Sequence, residues 1–296
     1  MHGNRRWGAT APKISAFVVA YNRAGILGTC LRALAFADEI VVVDKSSTDD
    51  TCAVAERYAT RVVTVPWSPT VEETRDEALA LCTHDWVLFL DDDECLSAES
   101  GPFLRTLLAR GDMDVFEFPL RHYILGVHDE AAYYWPEHHV RLFRRGSVTF
   151  GSTVHGGIQV HSDRRMRIPA ATGVCIHHLS HPDVASWIER TNRYTSRPDR
   201  ARVADDGQDL VAFAHARIDV WLGGARDGYP AAVALLRATY DIVDRLKTWE
   251  EARGLDGNVL FAQVCAELDA AKPPQSLFGR LKDRWFSRPA CPRSPE

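Results

Sequence analysis

From residue 14 to residue 90, short apolar runs alternate with amphipathic segments, and this alternation restricts the chain to an open α/β sheet. The runs 14–20, 40–43, 61–65 and 86–90 are rich in β-branched or aromatic residues and short enough to be strands. Strands that read as nearly unbroken apolar runs belong to a parallel sheet covered on both faces, so four parallel strands are expected. Between the first two, Ile26, Leu27, Cys30, Leu31 and Leu34 recur at helical spacing and turn one stripe to the sheet. Between the next two, Ser47 or Thr48 is expected to cap a helix whose first turn carries Asp49 and Asp50, next to the positive end of its dipole. Thr70 followed by Glu73 reads as a capping box opening a third helix.

Beyond Gly111 the pattern changes. Residues 114–121 and 139–144 read as strands, separated by a loop rich in Tyr, Trp, His and acidic residues. From Pro182 onward helices dominate, with Val184, Trp187, Ile188 and Thr191 on one face and a further amphipathic stretch over 230–249. The expected organisation is therefore an open α/β half over 12–111 and a mixed half over 112–200, then a helical extension over 201–270 and a Pro-containing basic tail over 271–296. In that tail Leu277, Phe278, Leu281 and Trp285 stand at helical spacing beside Arg280, Lys282 and Arg284, a pattern suited to peripheral contact with an anionic membrane, or else to a partly disordered tail or a helix packed on the domain.

Composition narrows the function classes. With 35 Lys and Arg against 40 Asp and Glu, the chain is mildly acidic, and no nucleic-acid partner is expected. Seven cysteines lie singly, without a Cys-x-x-Cys pair, so neither a structural zinc site nor a disulfide framework is indicated, and a reducing cytoplasm suits them. Cys30, Cys52 and Cys82 fall on helix positions consistent with burial. The start of the chain is polar and basic, and no run approaches the roughly 18 apolar residues a span needs, so neither export nor a membrane span is expected. The expected location is cytoplasmic, with the tail able to meet the inner face of the membrane.

The chemistry concentrates where the apolar run 86–90 meets Asp91, Asp92, Asp93 and Glu94. Four consecutive carboxylates repel one another unless a cation is present, and in an open α/β sheet ligands bind beyond the carboxyl ends of strands. A hard divalent ion such as Mg²⁺ or Mn²⁺, shared between one or two aspartates, a diphosphate and water, fits this placement. The alternative is a solvated acidic loop capping a helix over 97–110. His177, His178 and His181 cluster after an apolar run and are either metal ligands or buried hydrogen-bonding residues. Arg141, Arg144 and Arg145 offer phosphate ligands or a solvated face. Tyr133, Tyr134 and Trp135 offer a flat platform for a sugar or else belong to the core.

Four segments together resemble the amino-terminal half of family-2 glycosyltransferases of the GT-A fold. They are Phe17-Val18-Val19-Ala20-Tyr21-Asn22, Asp38-Glu39-Ile40-Val41-Val42-Val43-Asp44, Ser46-Ser47-Thr48-Asp49-Asp50-Thr51, and His84-Asp85-Trp86-Val87-Leu88-Phe89-Leu90-Asp91-Asp92-Asp93-Glu94. The approaches to the second strand and to the acidic run are most similar to the lipopolysaccharide-core β-glucosyltransferase subgroup. A fainter likeness continues through Tyr134-Trp135-Pro136-Glu137, Val140-Arg141-Leu142-Phe143-Arg144, Val154-His155 and Asn192-Arg193-Tyr194-Thr195.

The resemblance implies a GT-A domain that binds a nucleotide sugar, UDP-linked, with Mn²⁺ or Mg²⁺, and transfers a hexose with inversion to a glycan, glycolipid or other hydroxyl acceptor. It implies that Asp44 accepts from the nucleotide base, that Tyr21 contacts base or ribose, that Arg75 lies near the donor, and that Asp91 and Asp93 form the Asp-x-Asp metal element. Asp92 stands where the subgroup has a small residue and is counted with the donor site, so which carboxylates touch the ion stays open. His178, by register with Asn192-Arg193-Tyr194, is the histidine implied to complete the metal site. An inverting transfer needs a carboxylate base for the acceptor hydroxyl. Glu137 stands where relatives carry Asp or Glu, with Asp129 and Glu130 as rivals in the same loop. Gly156 replaces the glutamate of the family's Val-His-Glu, which weakens an acceptor role for that motif. Two other classes remain: a nucleotidyltransferase, which usually carries a Gly-rich basic loop that 21–25 does not supply, and a non-catalytic nucleotide-sugar-binding scaffold of the same fold.

Overall fold

All four expected parallel strands form: β1 (Ile14–Ala20), β2 (Glu39–Asp44), β3 (Arg61–Thr64) and β4 (Trp86–Asp91). They belong to a computed structural model that describes residues 11–68, 71–132, 134–151, 157–197, 207, 209–254 and 256–270. Successive side chains of a strand point to opposite faces, and the sequence fills both. Ile14, Ala16 and Val18 of β1, with Val42 and Leu88, enter one core under α1 (Ala24–Ala33) and α4 (Ser100–Arg110). Phe17 and Val19, with Val41, Val43, Val87 and Phe89, enter the other beside α3 (Glu72–Leu81). Each fully buried Val, Leu or Phe contributes about 1.5–3 kcal/mol, so the central strands fix the scaffold.

The sheet continues past β4 with changed direction, in the order β3-β2-β1-β4-β7-β6-β11-β5. Here β7 (Glu137–Arg144) is antiparallel to both β4 and β6 (Val115–Ile124). β11 (Ile176–His181) runs parallel to β6 and antiparallel to β5 (Glu94–Leu96). β10 (Arg165–Arg167) joins the start of β6, and β8 (Val148–Phe150) pairs with β9 (Ile158–Val160) in a separate hairpin. Two rows of this register set up the site: Ala20 pairs with Asp44 while Val19 pairs with Asp91, and His178 pairs with both Glu94 and His122.

α4 approaches the loop after α1 so closely that a Cβ on Gly101 would lie 2.8 Å from the Cβ and Cγ of Phe36. Gly101→Ala should therefore destabilise by about 1–3 kcal/mol through overpacking, in spite of alanine's better helix propensity, and a urea midpoint shift reads it.

Several local expectations are corrected. Ser47 and Thr48 do not cap the second helix, α2 (Thr51–Ala55), which starts later. Instead Ser47 Oγ accepts from Asn22 N–H at 2.9 Å, Thr48 N–H donates to Asn22 Oδ1 at 2.8 Å, and Asp49 accepts from Ala24 N–H at the start of α1. The short polar side chains thus stitch two loops together at the strand ends. The acidic run is no solvated cap, because Glu94 opens β5 and the following helix begins at Ser100 rather than Ser97. The three histidines, expected after the apolar run, are themselves part of strand β11. In α5 (Val184–Thr195) the buried row is Trp187, Thr191 and Thr195, which leaves Val184 and Ile188 exposed. Thr70, the Glu73 side chain, Tyr133, Val154-His155-Gly156 and the tail 271–296 lie outside the described residues.

The chain divides into two compact units, residues 1–247 and 248–296. In the first, Ile124, Tyr134, Trp187, Val233 and Leu236 form a third apolar cluster with Trp135 packed on it, so Tyr134 and Trp135 belong to the core rather than to an open platform. Helices α6 (Leu210–Leu222) and α7 (Gly228–Ala252) follow α5 in the chain. The second unit contains α8 (Gly257–Ala270), whose Val259, Leu260, Phe261, Val264 and Leu268 are all exposed.

Candidate active site

The carboxyl ends of β1, β2 and β4 bring Tyr21, Asp44 and Asp91 to one edge of the parallel sheet. Asp44 is buried; its Oδ2 accepts from Ser47 N–H at 3.0 Å, while its Oδ1 has no hydrogen-bond partner among the described residues. A buried carboxylate oxygen left in this way favours an incoming N–H donor. Tyr21, exposed, meets the exposed Trp67 edge to face at 6.2 Å.

The acidic run is neutralised by the chain's own cations, in three groups. Asp91 Oδ1 accepts from Arg75 at 2.7 Å and Oδ2 from Arg141 at 3.3 Å. Burial alone would raise the Asp91 carboxyl, yet Arg75 and Arg141 hold it below its ordinary value. Arg141 is itself buried, grips Glu94 with two bonds of 2.8 and 2.6 Å, and lies 4.7 Å over the Phe89 ring. It is therefore an internal clamp rather than a free phosphate ligand. Asp92 spends both oxygens within the chain, on Arg23 Nε at 3.0 Å and on Tyr21 N–H at 3.3 Å, and burial pushes its carboxyl up to about 6 against the pull of Arg23. Asp93 faces His178 Nε2 at 3.4 Å, Arg190 at 3.2 Å and Arg23 at 3.7 Å. Although burial opposes ionisation, His178, then Arg190 and Arg23, hold Asp93 well below the carboxylate range.

A second row of polar groups starts from the same histidine. His178 Nδ1 lies 2.8 Å from His122 Nδ1, and His122 Nε2 lies 3.2 Å from Glu137 Oε2. Two positions along β7, on the same face, His139 Nε2 meets Glu137 Oε1 at 3.1 Å. The two imidazoles hold the Glu137 carboxyl far below its usual value, so it is ionised at neutral pH. Arg75, Asp91, His122, His139, Arg141 and His178 line a cavity of about 410 Å³. Asp93 and Glu137 do not line it themselves; each touches histidines that do.

Breaking the clamp should be costly for stability. Arg141→Met leaves Glu94 buried without its charge partner, a loss of about 3–5 kcal/mol, and the double variant Arg141→Met with Glu94→Gln should recover part of it. Urea midpoints of the two variants check this.

Among the described residues no three His, Cys, Asp or Glu side chains are arranged to enclose a metal. A donor set of one carboxylate and one imidazole nevertheless fits Mg²⁺ or Mn²⁺, which commonly keep waters and take phosphate oxygens for the remaining positions. Asp91 is tied to Arg75 and Arg141, and Asp93 to Arg23, Arg190 and His178, so an ion at either carboxylate would share it with these side chains.

Residues 15–159 match the family description Glycosyl transferase family 2. An uncharacterized glycosyltransferase of Rickettsia felis is 31% identical over 222 residues, covering 71% of this chain and 76% of that protein. The chain belongs to glycosyl transferase family 2. The lipopolysaccharide core biosynthesis glycosyltransferase LpsC of Rhizobium meliloti is similar at 32% identity over 158 residues, 49% of this chain and 56% of that protein. Among solved structures, S. aureus TarS 1-349 in complex with UDP-GlcNAc aligns at 16% identity with a TM-score of 0.46, covering 77% of this chain and 71% of that one. Family membership sets aside the nucleotidyltransferase alternative, and the GT-A architecture expected from the resemblance is the one the sheet adopts.

This family-2 glycosyltransferase brings Asp91, Asp92, Asp93, Arg75 and His178 together, and Glu137 joins them through His122. The rivals to Glu137 are engaged elsewhere: Glu130 pairs with Arg121, and Asp129 accepts from Ala131 N–H in a turn. Sequence reading passed over Arg23, His122, Arg190 and Trp67. Arg23 directly follows the Tyr21-Asn22 match, and Trp67 is an aromatic in a Pro-flanked loop after β3. His122 and Arg190 carried no signal beyond a polar residue within a strand and a charge beside the buried row of α5.

Proposed function

We propose that this glycosyltransferase moves a hexosyl group from a UDP-sugar to a hydroxyl of a glycan or glycolipid, with inversion, using Mn²⁺ or Mg²⁺ held by Asp93 and His178 and Glu137 as base. The observation that carries this reading is the unbroken polar row Asp93, His178, His122, Glu137 beside the cavity of about 410 Å³. One end of the row has the donor set for a hard cation, and the other end is an ionised carboxylate. When bound, the metal would neutralise charge developing on the departing nucleoside diphosphate.

The chain's own groups supply the rest. Asp44 and Tyr21 stand at the strand ends where a nucleotide base and ribose would lie, and Arg75 holds Asp91 in place beside them. The acceptor oxygen attacks the anomeric carbon, the bond from that carbon to the diphosphate oxygen breaks, and the acceptor proton passes to a Glu137 oxygen. Both Glu137 oxygens are oriented by imidazoles, so the base is ionised before the acceptor arrives. A lipopolysaccharide-type acceptor is supported by the name of the Rhizobium relative. Contact of the basic segment 271–296 with the anionic inner face of a membrane would bring the site to such an acceptor. No helix among the described residues is long and apolar enough to cross a membrane.

Thermal shift with a panel of nucleotide sugars, each with Mn²⁺ and with chelator, tests the proposal, because binding to the native state raises apparent stability. A metal-dependent shift with UDP-sugars is the expected result. Equal shifts in chelator, or none with any nucleotide sugar, would count against it.

A further inference from the structure

His122 stands between His178 and Glu137 in the polar row, and its two ring nitrogens face these different partners. It lies on β6 in register with His178 on β11, and its ring packs edge to face on Tyr134 at 5.4 Å and on His178 at 4.9 Å. Packing from two sides fixes the ring plane, and the side chain is only 16% exposed.

The hydrogen-bond roles then follow in sequence. A carboxylate oxygen only accepts, so His122 Nε2, 3.2 Å from Glu137, carries the proton. In a neutral imidazole the other nitrogen is an acceptor, so His122 Nδ1 accepts, and the proton of the 2.8 Å contact belongs to His178 Nδ1. His178 Nε2 faces Asp93 Oδ1 at 3.4 Å and donates to it in the metal-free chain, and Asp93 holds the imidazole above its ordinary value against burial. A cation bound between the two would take the place of that proton, leaving Nε2 and Oδ1 as its ligand atoms. Metal-bound histidines commonly donate their other N–H in this way, which fixes tautomer and ring orientation.

We infer that His122 is the positioning residue that couples the metal end of the site to the base: its Nδ1 accepts from His178 Nδ1–H and holds that ring toward Asp93, and its Nε2–H orients Glu137. The inference rests on the metal and base assignments proposed above and adds a single group through which they communicate.

Three variants of the full chain separate the two roles. Asn places a polar atom near the position of Nδ1, Gln places one near that of Nε2, and Leu supplies neither. Mn²⁺ binding to the protein without donor, read from the free Mn²⁺ signal in electron paramagnetic resonance, reports the first role. kcat and KM at saturating Mn²⁺ report the second. His122→Leu should weaken Mn²⁺ binding about 10- to 100-fold and lower kcat by up to about 10²-fold. His122→Asn should bring back Mn²⁺ affinity with kcat still low, and His122→Gln should bring back kcat with Mn²⁺ affinity still weak. Circular dichroism confirms that each variant is folded. A folded His122→Leu with wild-type Mn²⁺ affinity overturns the inference while leaving the metal assignment standing, as do Asn and Gln variants that fall with Leu in both readouts. A wild-type chain that binds no Mn²⁺ overturns both.

Discussion

Asp93→Asn should lower kcat/KM for sugar transfer by about 10³-fold or more, the scale of several kcal/mol that a metal contributes to a leaving diphosphate. Asp93 is 5% exposed and faces His178, Arg190 and Arg23, so the amide removes the carboxylate proposed to hold the metal, which is also the anion that gathers three cationic side chains. Chelation of the wild-type chain should give the same loss, and Mn²⁺ should restore activity to the wild type alone. Removing one partner of a buried charge group also costs about 3–5 kcal/mol of stability, so the assay belongs well below the variant's unfolding midpoint. Kinetics with and without chelator, run beside a urea melt, separate the loss of ligation from the loss of fold.

The second large effect is expected at Glu137. Glu137→Gln should reduce kcat by about 10²- to 10⁴-fold, the range for general-base catalysis, with donor KM nearly unchanged. The side chain is half exposed and Gln keeps acceptor capacity toward one histidine, so little stability should be lost. Asp129→Asn and Glu130→Gln serve as comparisons and should keep near-wild-type kcat, since those carboxylates hold a turn and a surface arginine. A Glu137→Gln enzyme with unchanged kcat would move the base to a group that lines the cavity itself, such as His139.

The parallel half of the fold was legible in the sequence because its signal is local. β1, β2 and β4 are mostly apolar runs, and β2 and β4 end on Asp44 and Asp91, the polar residues that reach the site. Family likeness supplied Tyr21, Arg75, Asp93 and His178 in the same way, from short stretches of chain. The partners that balance these residues come from far along the sequence. Arg141 meets Glu94 across 47 positions, Arg190 meets Asp93 across 97, and His122 meets His178 across 56, and none of these separations leaves a periodic trace. Arg141 read equally as a phosphate ligand or a solvated charge, and only the pairing of β7 with β4 and β6 buries it. Ser47 and Thr48 misled for the opposite reason: good capping residues were in place, but Asn22 on a neighbouring loop took their hydrogen bonds.

The most direct test of the central claim is calorimetric titration of UDP into the wild-type chain and into Asp93→Asn, each with Mn²⁺ and with chelator. Mn²⁺ should tighten UDP binding markedly in the wild type and leave the variant unchanged. UDP binding of equal strength in chelator, or a variant that keeps the full Mn²⁺ response, would contradict metal-assisted donor binding at Asp93 and His178.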